Sequence, residues 1–127
     1  MADYVLIVDD DENVRRLLVD MLNRMDIDSK EAENGAVAFD AISADMPKVV
    51  ILDLMMPVMD GFSLLTRLQG QSAYRKLPVV LLSAIADNAK HMQNLPGVIA
   101  VLRKGRFEAS ELADLIQPYF EAAEDST

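Results

Sequence analysis

Short continuous apolar runs alternate with stretches of helical period along the whole chain, and this alternation constrains the fold more than any other feature. Tyr4 to Val8 (YVLIV), Val49 to Leu52, Val79 to Leu82 and Val98 to Leu102 read as strands, and a weaker, polar run from Asp28 to Ala32 adds another. Between them, apolar residues recur at the spacing of a helix. Val14, Leu17, Leu18, Met21, Leu22 and Met25 line one face of a first helix. Asn34-Gly35 signals a turn, and Ala36 to Ala44 a short helix. Pro57 and Asp60-Gly61 mark a loop, after which Leu64, Leu65 and Leu68 line a third helix. Asp87 to Leu95 predicts a poor helix with few apolar anchors. Leu112, Leu115, Ile116, Tyr119 and Phe120 predict a last one, whose final turn Pro118 distorts.

Strands that each lead into a helix imply right-handed crossovers and a parallel sheet covered on both faces. The first, third, fourth and fifth strands are unbroken apolar runs, as burial on both faces demands. The expected architecture is therefore a doubly wound five-stranded α/β sheet in the order 2-1-3-4-5. The 127 residues fit one domain, expected over 1–121, followed by a short, polar and frayed tail over 122–127. No apolar run is long enough to span a bilayer, and the start of the chain has no leader-peptide pattern. The absence of cysteine excludes disulfides, thiolate metal sites and a cysteine nucleophile, and it is compatible with the cytoplasm. With a formal net charge of −9, the chain would be repelled by a phosphate backbone, so direct nucleic-acid binding is not expected.

Ligands of an open α/β sheet bind beyond the carboxyl ends of its strands. The residues there are Asp9, Asp10, Asp11 and Glu12 after the first strand, Asp53 after the third, Ser83 after the fourth and Lys104 after the fifth. Singly, each has an ordinary reading: acidic residues and serine cap helices, and a lone lysine is usually solvated. Together they form a chemical set. Carboxylates held close repel one another and raise some of their pKa values, and a divalent cation relieves the repulsion. An all-oxygen set with few carboxylates favours Mg²⁺, which retains waters and accepts phosphate oxygens. A carboxylate can attack phosphorus to give an acyl phosphate, while the metal, a lysine and a hydroxyl offset charge on the other oxygens.

With VLIVDDD, AENG, VVILDLMMPVMDGFSLL, LPVVLLSA and VLRK in this order, the chain resembles the receiver domains of two-component response regulators over nearly its whole length. The resemblance implies a flavodoxin-like receiver fold. By position it makes Asp53 the phosphoacceptor and Asp10 a direct Mg²⁺ ligand, joined by Asp53 and the backbone carbonyl of Met55. Asp9 is then the outer ligand acting through water, Ser83 the switch hydroxyl, and Lys104 the cation that pairs with the phosphoryl group. It further implies a sensor histidine kinase or histidine phosphotransfer protein as donor and a downstream effector. It allows a phosphorylation-dependent dimer. No enzymatic turnover is implied beyond the domain's own phosphorylation and self-dephosphorylation.

Three positions depart from the family pattern. Gly105 stands where a cis proline usually follows the lysine, Val101 stands where the fifth strand usually carries an aromatic switch, and NLPGVIA replaces the usual segment before that strand. These leave the acceptor site intact and change what transmits its state. Valine has no ring to move, so a signal is expected in the loop from Ser83 to Ala89 and in the one after Lys104. Two apolar side chains, Met55 and Ile85, are expected to border the path of a hydrolytic water, which predicts a long-lived acyl phosphate. Rival readings fit less well. A receiver that signals without phosphorylation usually lacks an acidic residue or the lysine. An aspartyl phosphatase carries a second Asp where Met55 stands. An FMN carrier would not place DDDE after its first strand, and His91 has no clustered partner.

Overall fold

The elements in chain order are β1 (Tyr4–Val8), α1 (Glu12–Arg24), β2 (Asp28–Ala32), α2 (Gly35–Ala44), β3 (Val49–Asp53), α3 (Gly61–Gln69), β4 (Val79–Ser83), a 3-10 turn (Lys90–Asn94), β5 (Val98–Arg103) and α4 (Ala109–Asp125). This computed structural model describes residues 3–56, 60–84 and 90–125, and only the backbone of residues 90, 91 and 121–125. All strand pairs are parallel, and the order is β2-β1-β3-β4-β5, as the alternation of elements predicts.

The sheet divides the core into two layers. On one face Leu6, Val8, Val50, Leu52 and Leu81 pack with Ala38 and Ile42 of α2 and Leu64, Leu65 and Leu68 of α3. On the other, Val5, Ile7, Ile51, Val80 and Leu82 pack with Leu18 and Leu22 of α1 and Leu112 and Ile116 of α4. Alternate residues of each central strand thus serve opposite layers. Each fully buried aliphatic side chain contributes about 1.5–3 kcal/mol relative to exposure.

Helix starts follow local chemistry. The side chains of Asp11, Asn34 and Asp60 accept from the backbone N–H groups of Asn13, Val37 and Ser63 at 2.9, 2.9 and 2.7 Å. Each satisfies a donor that its helix cannot. Asn34-Gly35 is therefore a helix start rather than a free turn. The polar β2 is an edge strand with only Ala32 buried, and its charged residues protect the open edge.

Four sequence expectations change. The fifth strand is half-buried rather than buried on both faces, as befits the other edge of the sheet. Of the helix expected over Asp87 to Leu95, the described part is a 3-10 turn from Lys90 to Asn94, and residues 87–89 lie outside the described residues. Leu17, counted on the apolar stripe of α1, is exposed. Pro118 lies inside α4 instead of in its last turn, so the backbone stays helical to Asp125 although proline supplies no N–H.

Candidate functional site

Register places the chemistry. Val8 of β1 is level with Leu52 of β3, so the next residues, Asp9 just past β1 and Asp53 at the end of β3, lie side by side. Asp53 is paired with Leu82 of β4, and Ser83 with Arg103 of β5. The ladder continues past the strand ends: Asp9 N–H donates to Ala32 carbonyl at 3.1 Å, Leu54 N–H to Leu82 carbonyl at 3.1 Å, and Lys104 N–H to Ser83 carbonyl at 2.8 Å. That last bond sets the lysine's starting point one residue beyond β5.

From there the Lys104 side chain reaches back across the sheet. Its Nζ donates to Asp53 Oδ2 at 3.0 Å and to Asp9 Oδ1 at 3.3 Å. Both carboxylates are buried. Asp9 Oδ1 also accepts from Asp11 N–H at 2.9 Å, and Asp53 Oδ1 from Met55 N–H at 3.2 Å. Asp9 Oδ2 is buried and lies 3.1 Å from the ammonium, an ion-pair distance, yet accepts no hydrogen bond among the described residues. Coulombic attraction does not need the alignment that a hydrogen bond does. Asp10 is exposed, and its carboxylate, with those of Asp9 and Asp53, offers ligand atoms all within 4.8 Å of one another.

Electrostatics follow from this geometry. Burial pushes the Asp53 carboxyl above the ordinary aspartate range; the Lys104 hydrogen bond opposes the shift, and the Asp9 charge adds to it. For Lys104, burial alone would lower the pKa, but bonding to Asp53 and Asp9 outweighs it and holds the ammonium above the usual lysine value. One ammonium thus bridges two buried carboxylates.

The structure brings together Asp9, Asp10, Asp53 and Lys104, with Ser83 buried on the adjacent strand. Met55 N–H donates to Asp53, and Met55 itself is 74% exposed. Ile85, its expected partner in an apolar gate, is outside the described residues, as are Pro57 and the side chain of His91. No peptide bond among the described residues is cis, and Gly105 has a positive φ of 77°. Asp11 and Glu12 do the work of a helix start: Asp11 caps α1, and Glu12 pairs with Arg16 at 3.0 Å.

Two residues escaped the sequence reading. Gly61 looked like a loop marker, yet a Cβ there would stand 2.1 Å from the Asp53 carbonyl oxygen and 2.7 Å from Leu54 Cα. Its N–H donates to the Leu54 carbonyl at 3.2 Å. The start of α3 therefore presses directly on the acceptor loop, and only glycine fits. The signal was a glycine directly after a capping aspartate, where no left-handed turn was required. Arg15 looked like one of several charges on α1. Its Nη1 donates to the Asp9 carbonyl at 2.8 Å, and its Nε to Glu31 Oε1 at 3.0 Å. Nothing in the linear pattern separates it from Arg16.

Fold and site together define a doubly wound α/β signalling domain with a carboxylate, hydroxyl and ammonium set at the carboxyl ends of its strands. The chain belongs to the response regulator receiver domain family, which it matches over residues 5–117. Transcriptional regulatory protein SrrA of Staphylococcus aureus is 32% identical over 93 residues, covering 73% of this chain and 37% of that protein. The chain thus spans little more than a third of the length of such relatives. The signal receiver domain of a signal transduction histidine kinase from Syntrophus aciditrophicus has a TM-score of 0.81 at 27% identity, covering 95% of this chain and 92% of that one. Response regulator TrrA of Thermotoga maritima, solved in complex with Mg²⁺-BeF, shares the fold with a TM-score of 0.78 at 24% identity, covering 93% and 99%. Receiver domains of two-component systems are signalling modules rather than classical enzymes, and they partner with histidine kinases and effector domains. No helix among the described residues is long and apolar enough to cross a membrane.

Proposed function

We propose that this domain accepts a phosphoryl group on Asp53 from a phosphohistidine, in a Mg²⁺-dependent reaction, and that the acyl phosphate switches partner binding. The observation that carries this reading is the buried Asp53 carboxylate, tied to Lys104 at 3.0 Å beside Asp9 and within reach of Asp10. The donor set fits a hard divalent cation. It is all oxygen, and it includes a buried Asp9 Oδ2 without a hydrogen bond. Asp10, Asp53 and the Met55 carbonyl would hold Mg²⁺, with Asp9 acting through water. The solved complex of TrrA with Mg²⁺-BeF supports the same ion here. When bound, it supplies a positive charge that offsets the phosphoryl oxygens.

An Asp53 carboxylate oxygen attacks phosphorus, the P–N bond of the phosphohistidine breaks, and its electron pair leaves with the imidazole. Lys104, already anchored between strands, offsets negative charge on the transferred group, and the Ser83 hydroxyl donates a hydrogen bond to it. The receiver unit is taken as residues 1–121 with 122–127 as a tail, acting in the cytoplasm with no direct nucleic-acid or membrane contact. Its turnover is limited to its own phosphorylation and dephosphorylation. With an acyl phosphate donor and Mg²⁺, intact-mass measurement should find one added phosphoryl group in the wild type and none in Asp53→Asn. Labelling that persists in Asp53→Asn would sink the assignment.

A further inference from the structure

We infer that Arg15 is a positioning residue for the cation site, acting through the Asp9–Asp10 peptide rather than through charge; this rests on the Mg²⁺ reading above. Both ends of the Asp9 backbone are held. Its N–H donates to the Ala32 carbonyl of β2 at 3.1 Å, and its carbonyl accepts from Arg15 Nη1 at 2.8 Å. The guanidinium is itself fixed, because Nε donates to Glu31 on the same strand at 3.0 Å, and the side chain is only 15% exposed. One planar group therefore fastens the turn after β1 to β2.

The Asp9 carbonyl and the Asp10 N–H share one peptide plane. Fixing that carbonyl fixes the direction in which Asp10 leaves the backbone. Asp10 needs such help: it is exposed, and no hydrogen bond or ion pair among the described residues holds its carboxylate. Asp9 and Asp53, by contrast, are held by Lys104 and by backbone N–H groups. Arginine suits the task because its fork reaches two acceptors in fixed relative geometry, which a lysine ammonium on a flexible stem does not reproduce.

Charge and position predict opposite signs. A guanidinium near a cation site repels the cation, so if charge were its whole effect, removing it would tighten Mg²⁺ binding. If Arg15 positions Asp10, removing it weakens binding, by roughly 10-fold or more on the scale typical of residues that orient metal ligands. Isothermal titration of the full chain with Mg²⁺ decides between them, using wild type, Arg15→Gln and Arg15→Lys, with thermal midpoints of each measured in chelator. The expected result is about 10-fold weaker binding in both variants, with a metal-free midpoint for Arg15→Lys close to wild type. Binding as tight as wild type, or tighter, in either folded variant overturns the inference and leaves the metal reading standing. Loss of the folded state in metal-free Arg15→Lys assigns the residue to stability instead, and also overturns it. A wild type that binds no Mg²⁺ overturns the metal reading and this inference with it.

Discussion

Single atoms decide the shape of the acceptor loop. Gly61 sits where any side chain would drive a carbon to 2.1 Å from the Asp53 carbonyl oxygen, with Leu54 Cα at 2.7 Å behind it. Both obstacles are backbone, and neither yields to a rotamer change. In Gly61→Ala, the start of α3 has to move off the loop that carries Asp53, and the bond from Gly61 N–H to the Leu54 carbonyl is lost with it. The expected cost is about 2–4 kcal/mol, at the upper end for overpacking a closed site. Urea denaturation would measure it. A loss within 0.5 kcal/mol, roughly the noise of surface substitutions, would contradict the close approach. At this scale the sequence was only partly legible. Carboxylates, hydroxyl and ammonium were readable because strand ends collect them and their types declare their chemistry. Gly61 and Arg15 were not, because their roles depend on backbone groups of other segments, which carry no sequence signature of their own.

Between residue and domain, the helix ends carry most of the local instruction. Helix α1 finishes in a reciprocal pair of backbone bonds, Asp26 N–H to the Asn23 carbonyl at 3.1 Å and Ile27 N–H to the Leu22 carbonyl at 3.0 Å. Leu22 and Ile27 are both buried in the same core layer, closing the cap from the apolar side. The geometry requires a left-handed residue at Asp26, which has φ 62°. Aspartate tolerates that conformation less well than glycine, and its negative charge faces the negative end of the helix. Asp26→Gly should therefore stabilise the protein by about 0.5–1 kcal/mol, even after the extra freedom glycine has in the unfolded chain. Thermal unfolding is the check, and a lower midpoint would show that Asp26 contributes something the backbone does not reveal. Elements with a strong apolar pattern were legible to within a residue or so, since β1, β3, β4 and the α3 stripe fall where the pattern puts them. The segment before β5 was not. Its few apolar residues could not specify a helix, and the described part holds a 3-10 turn that buries Met92. For β5, the expected order already put the strand at the edge, but its apolar run, VIAVL, reads like that of a strand buried on both faces and so hid its partial exposure.

Across the whole molecule, Lys104 ties the ends of three strands together, running from β5 over to Asp53 on β3 and Asp9 after β1. Without it, two buried carboxylates face each other with no cation. Lys104→Met keeps most of the apolar stem and removes the charge, which isolates the electrostatic part. Breaking a buried pair by deleting one partner commonly costs 3–5 kcal/mol. The ammonium here is partly solvated, with 24% side-chain exposure, so about 2–3 kcal/mol at neutral pH is the discounted expectation, or roughly 10 °C in the midpoint of a domain this size. The cost should depend on pH with a definite sign. Burial already holds the Asp53 carboxyl above its ordinary range, and Lys104 is what opposes that shift. Without the lysine, the folded state prefers Asp53 protonated still more strongly. A group whose folded pKa is raised favours folding fully below its unfolded value, near 3.9, and that contribution fades as pH rises through the folded value. The deficit of Lys104→Met should thus be small in acid and grow toward neutrality. Mg²⁺ should then act as a partial substitute, since it supplies positive charge to the same carboxylates. At about 100 times its dissociation constant, a bound ion stabilises by about 2.7 kcal/mol, enough to return the variant to near the metal-free wild type. Thermal midpoints of both proteins from acid to neutral pH, with chelator and with saturating Mg²⁺, test all three statements. A deficit that is independent of pH would mean that Lys104 acts through the packing of its stem, and a deficit that Mg²⁺ leaves untouched would separate the lysine from the cation site.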